Sequence, residues 1–261
     1  MDEGWPPSRT VRAEPVMGTV ITVDVREAGD WAGAIDSLFR WFDEVDSLFS
    51  TFKAGSEVSR LARGELTEGR CQPQVREVLA LCEEVTRRSQ GAFDIRADGS
   101  LDPSGLVKGW SVERAAAMLQ AEGARNFFIG AGGDIAARGG PAPGQPWRVG
   151  IRHPEIAGRM AAVLEIGDLA VATSGAYERG QHIVDPRTGR PPSGLLSMTV
   201  AGPSLTYADA YATAAYVMGE PGPGWVAGID GYAALAITAD RRTVWTAGMD
   251  ALRVRDGAAA V

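Results

Sequence analysis

The sequence predicts an α+β fold on three observations. Helical apolar stripes dominate the first half of the chain, short strand-like runs dominate the second, and glycine-rich loops lie where the two meet. With 261 residues at 45% apolar composition the chain buries a sizeable core. It is expected to form one domain over residues 1–261, or two merged subdomains with a site between them.

Taken in order, "GTVITVDVRE" alternates β-branched with small or charged residues, which predicts a half-buried strand from about Val16 to Arg26. In "WAGAIDSLFRWFDEVDSLFS", Ile35, Leu38, Phe39, Phe42, Val45 and Leu48 recur at helical spacing, with Asp36, Arg40, Asp43 and Glu44 facing water. "PQVREVLALCEEVTRRSQG" predicts a second helix, opened by Pro73 and closed by Gly91 as a C-cap. "AFDIRADGSLDPSGLVKG" is too rich in Gly, Pro and Asp for regular structure, and a helix follows in "WSVERAAAMLQAEGA". Beyond it come β-like runs bounded by turn residues: "NFFIGAGGDIAARG", "WRVGIRHP", "MAAVLEIGDLAVATSG", "HIVDP", "LSMTVAGP", "AALAITAD" and "TVWTAG". Only the helix "TYADAYATAAYVMG" interrupts them.

The charge balance excludes some functions. Against 33 acidic residues stand 26 Lys and Arg, a net charge of -7, with no basic run able to follow a phosphate backbone, so nucleic acid is not an expected partner. No segment reaches the roughly 18 apolar residues of a membrane span. The opening "MDEGWPPSRTVRAEP" lacks the basic and apolar parts of a secretory signal, which makes the expected location cytoplasmic. Cys71 and Cys82 lie eleven apart, a spacing that suits neither a metal site nor a disulfide framework.

Three constellations could carry chemistry. In "SLTYADAYATAAYVMG", Thr206 and Asp209 fit a variant of the capping box; alternatively Asp209 and Thr213, one helical turn apart, offer two oxygens to one hard cation. "DPSGLVKGW" places Asp102, Gly105 and Lys108 on a loop leading into a helix, where free N–H groups and one ammonium suit a phosphate, though a plain turn with an exposed lysine has the same pattern. Walker A spacing is absent. "ATSGAYERGQHIVDPRTG" sets small residues beside His182, a proton acceptor near neutral pH, and Asp185, which could orient the histidine or hold a metal; a structural strand histidine fits as well. His153, before a proline at a strand end, reads as structural.

The order of these motifs, "MGTVITV", "LFSTFKAGSEVSRL", "GAFDI", "DPSGLVKGWSVERA", "GAGGDIAARG", "WRVGIRHP", "AVATSGAYER", "HIVDPRTGRP" and "SMTVAGPSLTYADAYATAAYVMG", resembles the ApbE family of FAD:protein FMN transferases over about residues 14–219. The resemblance implies a T-fold-related architecture, helices packed on antiparallel sheets with the FAD site at the boundary. It implies Mg2+-dependent transfer of FMN from FAD to a Thr or Ser hydroxyl of an acceptor protein, releasing AMP. Hydrolysis of FAD to FMN and AMP, or FAD binding without turnover, are the alternatives.

By the same resemblance, Asp209, Thr213 and the carbonyl of Gly105 bind the metal. Met17, Phe52, Ala92, Phe93, Asp94, Asp102, Lys108, His182 and Ile183 lie at the FAD; for the transfer chemistry, Lys108 with the metal is the expected charge relief and His182 or Asp185 the expected base. Phe52 stands where the family usually has tyrosine, Gly130 where asparagine precedes "AGGD", and "GLVKG" where "GIAKG" is usual. The lipoprotein signal and cysteine of most bacterial relatives are not in this opening, which points to a cytoplasmic acceptor or a different use of FAD as the expectation.

Overall fold

A computed structural model describes residues 9–97, 99–176 and 183–255. Eight strands form one antiparallel sheet in the order β1-β2-β3-β4-β7-β8-β9-β10, and β5 pairs with β6 in a separate two-stranded sheet. The elements are β1 (Thr10–Val16), β2 (Thr19–Val25), α1 (Ala32–Phe49), α2 (Glu57–Ala62), a 3-10 turn (Glu68–Arg70), α3 (Pro73–Arg88) and α4 (Ser104–Ala121). Then come β3 (Phe127–Ala131), β4 (Asp134–Arg138), β5 (Trp147–Arg152), β6 (Met160–Ile166), β7 (Ala170–Gly175) and β8 (Leu195–Gly202). The chain continues with α5 (Leu205–Met218), α6 (Gly222–Ala227), β9 (Ala233–Thr238), β10 (Thr243–Trp245) and α7 (Ala247–Ala251). Helices packed on antiparallel sheets are the α+β architecture that the sequence predicts.

Side-chain parity explains why β7, β8 and β9 carry no charged residue. Ala170 and Ala172 of β7, with Ala234 and Ala236 of β9, face the main core beneath α1, α3, α4 and α5. Val171 of β7, with Leu235 and Ile237 of β9, faces a second core shared with Trp147, Ile151 and Leu164 of the β5–β6 hairpin and Met249 of α7. A sheet covered on both faces needs apolar residues at every position, not at alternate ones.

The boundaries differ from expectation at informative places. The first expected strand is found as β2, and a strand that was not expected, β1, precedes it and pairs with it around Met17 and Gly18, both of which have positive φ (55° and 70°). Methionine is a poor residue for that turn geometry, so composition gives no turn signal. Helix α3 ends at Arg88 with Ser89, not Gly91, as its C-cap: Gln90 takes the left-handed position (φ 53°), and the Gly91 amide returns to the Thr86 carbonyl at 2.9 Å in a Schellman closure. Helix α4 begins at Ser104, so Gly105 and Lys108 lie within it and not on a loop. The run "MAAVLEIGDLAVATSG" splits into β6 and β7, which belong to different sheets. Ile183 and Val184 have no regular structure, although Asp185 and Arg190 form the expected tight turn, with the Gly189 amide donating to the Asp185 carbonyl at 2.8 Å. Among the described residues no helix is long and apolar enough to cross a membrane.

Candidate active site

The site grows from α5, a helix buried on nearly every face. Ala208, Ala210, Ala212, Ala214 and Ala215 let its neighbours approach closely. A carboxylate in such a helix needs partners, because burying an unpaired charge is costly. Asp209, 3% exposed, accepts a hydrogen bond at Oδ2 from the Gly109 amide of α4 at 2.9 Å. That bond corrects the capping-box reading. Ser204 is the N-cap, accepting from the Tyr207 amide at 3.4 Å, while Thr206 and Ser204 both donate to Glu113 of α4. Glu113 therefore holds the start of α5 against α4, and Asp209 is turned toward the site.

Lys108 lies between two carboxylates. Its Nζ is 2.6 Å from Asp134 Oδ2 and 3.6 Å from Asp209 Oδ1. Asp134 begins β4 on the same face as Ala136, and its Oδ1 accepts from the Thr173 amide of β7 at 3.1 Å. Its Oδ2 accepts no well-aligned hydrogen bond, so its contact with Lys108 is an ion pair. Across the cleft Ser174 Oγ and Thr213 Oγ1 share a hydrogen bond at 3.1 Å, and Thr173 Oγ1 and Thr199 Oγ1 share another at 2.9 Å.

Lys108, Asp209, Thr173, Ser174 and Thr213 line a cleft of about 140 Å³, with Asp134 behind Lys108, and to it the structure also brings Ala92, Phe93, Asp94, Asp102, Gly105 and Ile183 from the residues expected at the site. Ala92 and Phe93 are buried; Asp94 and Asp102 are exposed, each carboxylate accepting an amide two residues ahead, from Arg96 and Ser104. A Cβ on Gly105 would lie 3.3 Å from Phe93 Cε2 and 3.7 Å from Thr213 Oγ1, so that backbone borders the threonine hydroxyl directly. The Gly109 amide that α-helical geometry offers to the Gly105 carbonyl is also drawn to Asp209. Asp209, Thr213 and the Gly105 carbonyl are all oxygen donors. No group of three or more His, Cys, Asp or Glu residues able to hold a metal occurs among the described residues, so a cation here would meet a mixed carboxylate, hydroxyl and carbonyl set, the kind that suits a small hard ion.

Other expected site residues lie elsewhere. Phe52 is 98% exposed and outside the cleft lining. Met17 sits at the β1–β2 turn, its Sδ accepting from Ser111 Oγ at 3.8 Å, one turn of α4 from Lys108. Asp185 faces a second cavity with Arg187, Thr188 and Arg190. Arg187 Nε and Nη2 donate to its two oxygens at 2.9 and 3.0 Å, and that hydrogen bond holds the carboxyl below the usual carboxylate range. Such a group is a weak base, which favours His182 over Asp185 of the two residues expected to supply it. His182 lies outside the described residues. His153 is structural, its Nδ1 accepting the Glu155 and Ile156 amides. Cys82 is buried, and burial pushes its thiol well up. Sequence reasoning missed Asp134 and Glu113; an acid whose strand parity places it beside Ala136 is the one signal that pointed inward.

The model of the ApbE family matches residues 17–99 and 96–236 of the chain. The chain belongs to the ApbE family. Its match to the FAD:protein FMN transferase of Vibrio cholerae is 40% identical over 130 residues, 46% of this chain and 39% of that protein. The match to the FAD:protein FMN transferase of Treponema pallidum is 34% identical over 181 residues, 62% of this chain and 50% of that protein. The aligned part thus spans half or less of the length of these curated relatives. Among solved structures, the flavin transferase ApbE of Vibrio cholerae superposes with a TM-score of 0.84 at 25% identity, covering 95% of this chain and 100% of that one. The apo form of the Pseudomonas stutzeri flavinyl transferase ApbE shares the fold, with a TM-score of 0.83 at 23% identity over 97% of this chain. The ApbE fold therefore runs through nearly the whole chain, including both helices and both strands that carry the Lys108 cluster.

Proposed function

We propose that this chain transfers the FMN moiety of FAD to a threonine or serine hydroxyl of an acceptor protein, with Mg2+, and releases AMP. The observation that carries the reading is the convergence of Lys108, Asp209, Thr213 and Gly105 on one cleft, an oxygen donor set facing a partly buried ammonium. The names of the Vibrio cholerae and Treponema pallidum relatives, FAD:protein FMN transferase, support the choice of substrate.

In this reaction the acceptor oxygen forms a bond to the FMN phosphorus, the bond from that phosphorus to the bridging oxygen breaks, and AMP leaves with the electron pair. Asp209, Thr213 and the Gly105 carbonyl would hold Mg2+, which when bound supplies charge neutralisation on the pyrophosphate oxygens. Lys108 adds a second positive charge beside the same oxygens. Phe93 and Ile183 give the cleft its apolar wall. The acceptor proton goes to His182, whose unperturbed range suits a base at neutral pH, and not to Asp185, which Arg187 keeps ionised.

The test is incubation of the chain with FAD, Mg2+ and a candidate acceptor. AMP release together with a fluorescent flavin band on the acceptor is the expected result. Free FMN and AMP without any acceptor would instead establish hydrolysis, and FAD retained unchanged would reduce the chain to a flavin binder.

A further inference from the structure

We propose that Asp134 is a positioning residue that holds the Lys108 ammonium at 3.6 Å from Asp209, short of a direct hydrogen bond, so that Asp209 can also take a cation. This rests on the reading of Asp209 as a metal ligand. Lys108 is the one cationic side chain among the described residues lining the cleft, and two buried carboxylates face it. The nearer is Asp134, at 2.6 Å against 3.6 Å for Asp209.

Neither carboxylate can follow the lysine. Asp134 is 0% exposed, its backbone is in register with Ala131 of β3, and its other oxygen holds the Thr173 amide. Asp209 is tied to the Gly109 amide. Lys108 is the movable partner, an ammonium on a flexible four-carbon stem. Coulombic attraction rises as separation shrinks, so the charge of Asp134 holds the ammonium at the sheet side. If that charge is removed, Asp209 Oδ1 becomes the nearest carboxylate among the described residues, and a small stem rotation brings the ammonium onto it. Lysine and cation would then compete for the same oxygen.

The arrangement also leaves the immediate surroundings of Lys108 one negative charge in excess, one ammonium between two carboxylates, before Asp94 and Asp102 of the cleft lining add theirs. A carboxylate retained only to satisfy the Thr173 amide would not need its charge, because an asparagine oxygen accepts that bond equally.

The test titrates the full chain, without FAD, with Mn2+ followed by the electron paramagnetic resonance of the free ion. Asp134→Asn is expected to raise the apparent Kd at least about tenfold, as loss of an outer partner of a metal ligand does. The charge-matched double variant Asp134→Asn/Lys108→Met is expected to return to within about threefold of wild type, since the competitor is gone. Wild-type affinity in Asp134→Asn, or a double variant no tighter than Asp134→Asn, overturns the proposal. Asp209→Ala separates the two layers: binding lost there but intact in Asp134→Asn overturns the positioning role alone, whereas binding unchanged in Asp209→Ala, or absent in wild type, overturns the metal reading and this proposal with it. If Asp134→Asn loses cooperative unfolding, Lys108→Met alone decides. Affinity equal to or tighter than wild type supports the proposal, and weaker affinity overturns it.

Discussion

Gly109 and Leu205 meet backbone to backbone: a Cβ on Gly109 would stand 2.4 Å from the Leu205 carbonyl oxygen and 2.8 Å from Asp209 Cβ. This contact lets α4 and α5 approach until the Gly109 amide reaches the Asp209 carboxylate. Gly109→Ala must push the helices apart, because the obstructing atom is backbone. The expected cost is about 1–3 kcal/mol of stability, measured by urea unfolding, together with weaker metal binding as Asp209 loses its amide. A loss within about 0.5 kcal/mol, the range of an ordinary surface change, would contradict the close packing.

Asp209→Asn separates fold from chemistry. An asparagine oxygen still accepts the Gly109 amide, and Lys108 still has Asp134, so no buried charge is orphaned. The unfolding midpoint should stay near wild type. Release of AMP from FAD should fall on the order of 10²–10³-fold, the range for removing one electrostatic stabiliser of a charged transition state. Full activity in this variant would remove Asp209 from the mechanism.

These two residues also show what was legible beforehand. Asp209 and Thr213 stand one helical turn apart, and helical geometry alone puts them on one face. Which use they serve is decided by Ser204 taking the N-cap and by Gly109 arriving from a helix a hundred residues earlier, neither of which is a local property. The stripe of α1 was readable because its partners all lie on one side. "SGLVKG" looked like a loop because its glycines were charged to turns, whereas Gly109 serves a contact with Leu205 and Gly105 a close approach to Phe93 and Thr213. Asp134 was invisible as a site residue, since its value comes from β4 pairing with β3 and β7 and from Lys108 on the helix above.

Asp185 and Arg187 predict a pH response that distinguishes the turn from the catalytic base. The Arg187 hydrogen bond lowers the folded pKa of Asp185, so its stabilisation is fully present above the unfolded value and is lost as pH falls through the folded one. Arg187 is half exposed, which limits the contribution to about 0.5–1 kcal/mol. Asp185→Asn should lose that amount at pH 7, with the difference from wild type closing in acid, as unfolding curves at several pH values would show. Its rate profile near neutrality should not move, because Asp185 is ionised throughout. His182→Ala should cost on the order of 10²-fold in rate and abolish any limb near neutral pH. A neutral limb that disappears in Asp185→Asn and survives in His182→Ala would reverse the assignment of the base.

Phe52 gives the sharpest separation of affinity from stability. The loop that carries it is pinned at both ends, Ser56 Oγ donating to the Ser50 carbonyl at 2.8 Å and Lys53 pairing with Asp46 at 2.5 Å, yet the ring is 98% exposed. A large ring in water contributes nothing to the core, so Phe52→Ala should change unfolding stability by less than about 0.5 kcal/mol. If the ring covers bound flavin, its loss removes an aromatic contact worth about 0.5–1.5 kcal/mol, which corresponds to roughly 2- to 12-fold in FAD affinity. Phe52→Tyr keeps the ring, adds a hydroxyl that can hydrogen-bond, and should bind FAD at least as tightly as wild type. Titration of flavin fluorescence measures all three proteins. Equal affinity in Phe52→Ala and wild type would place the ring outside the flavin site and leave its exposure without a role in binding.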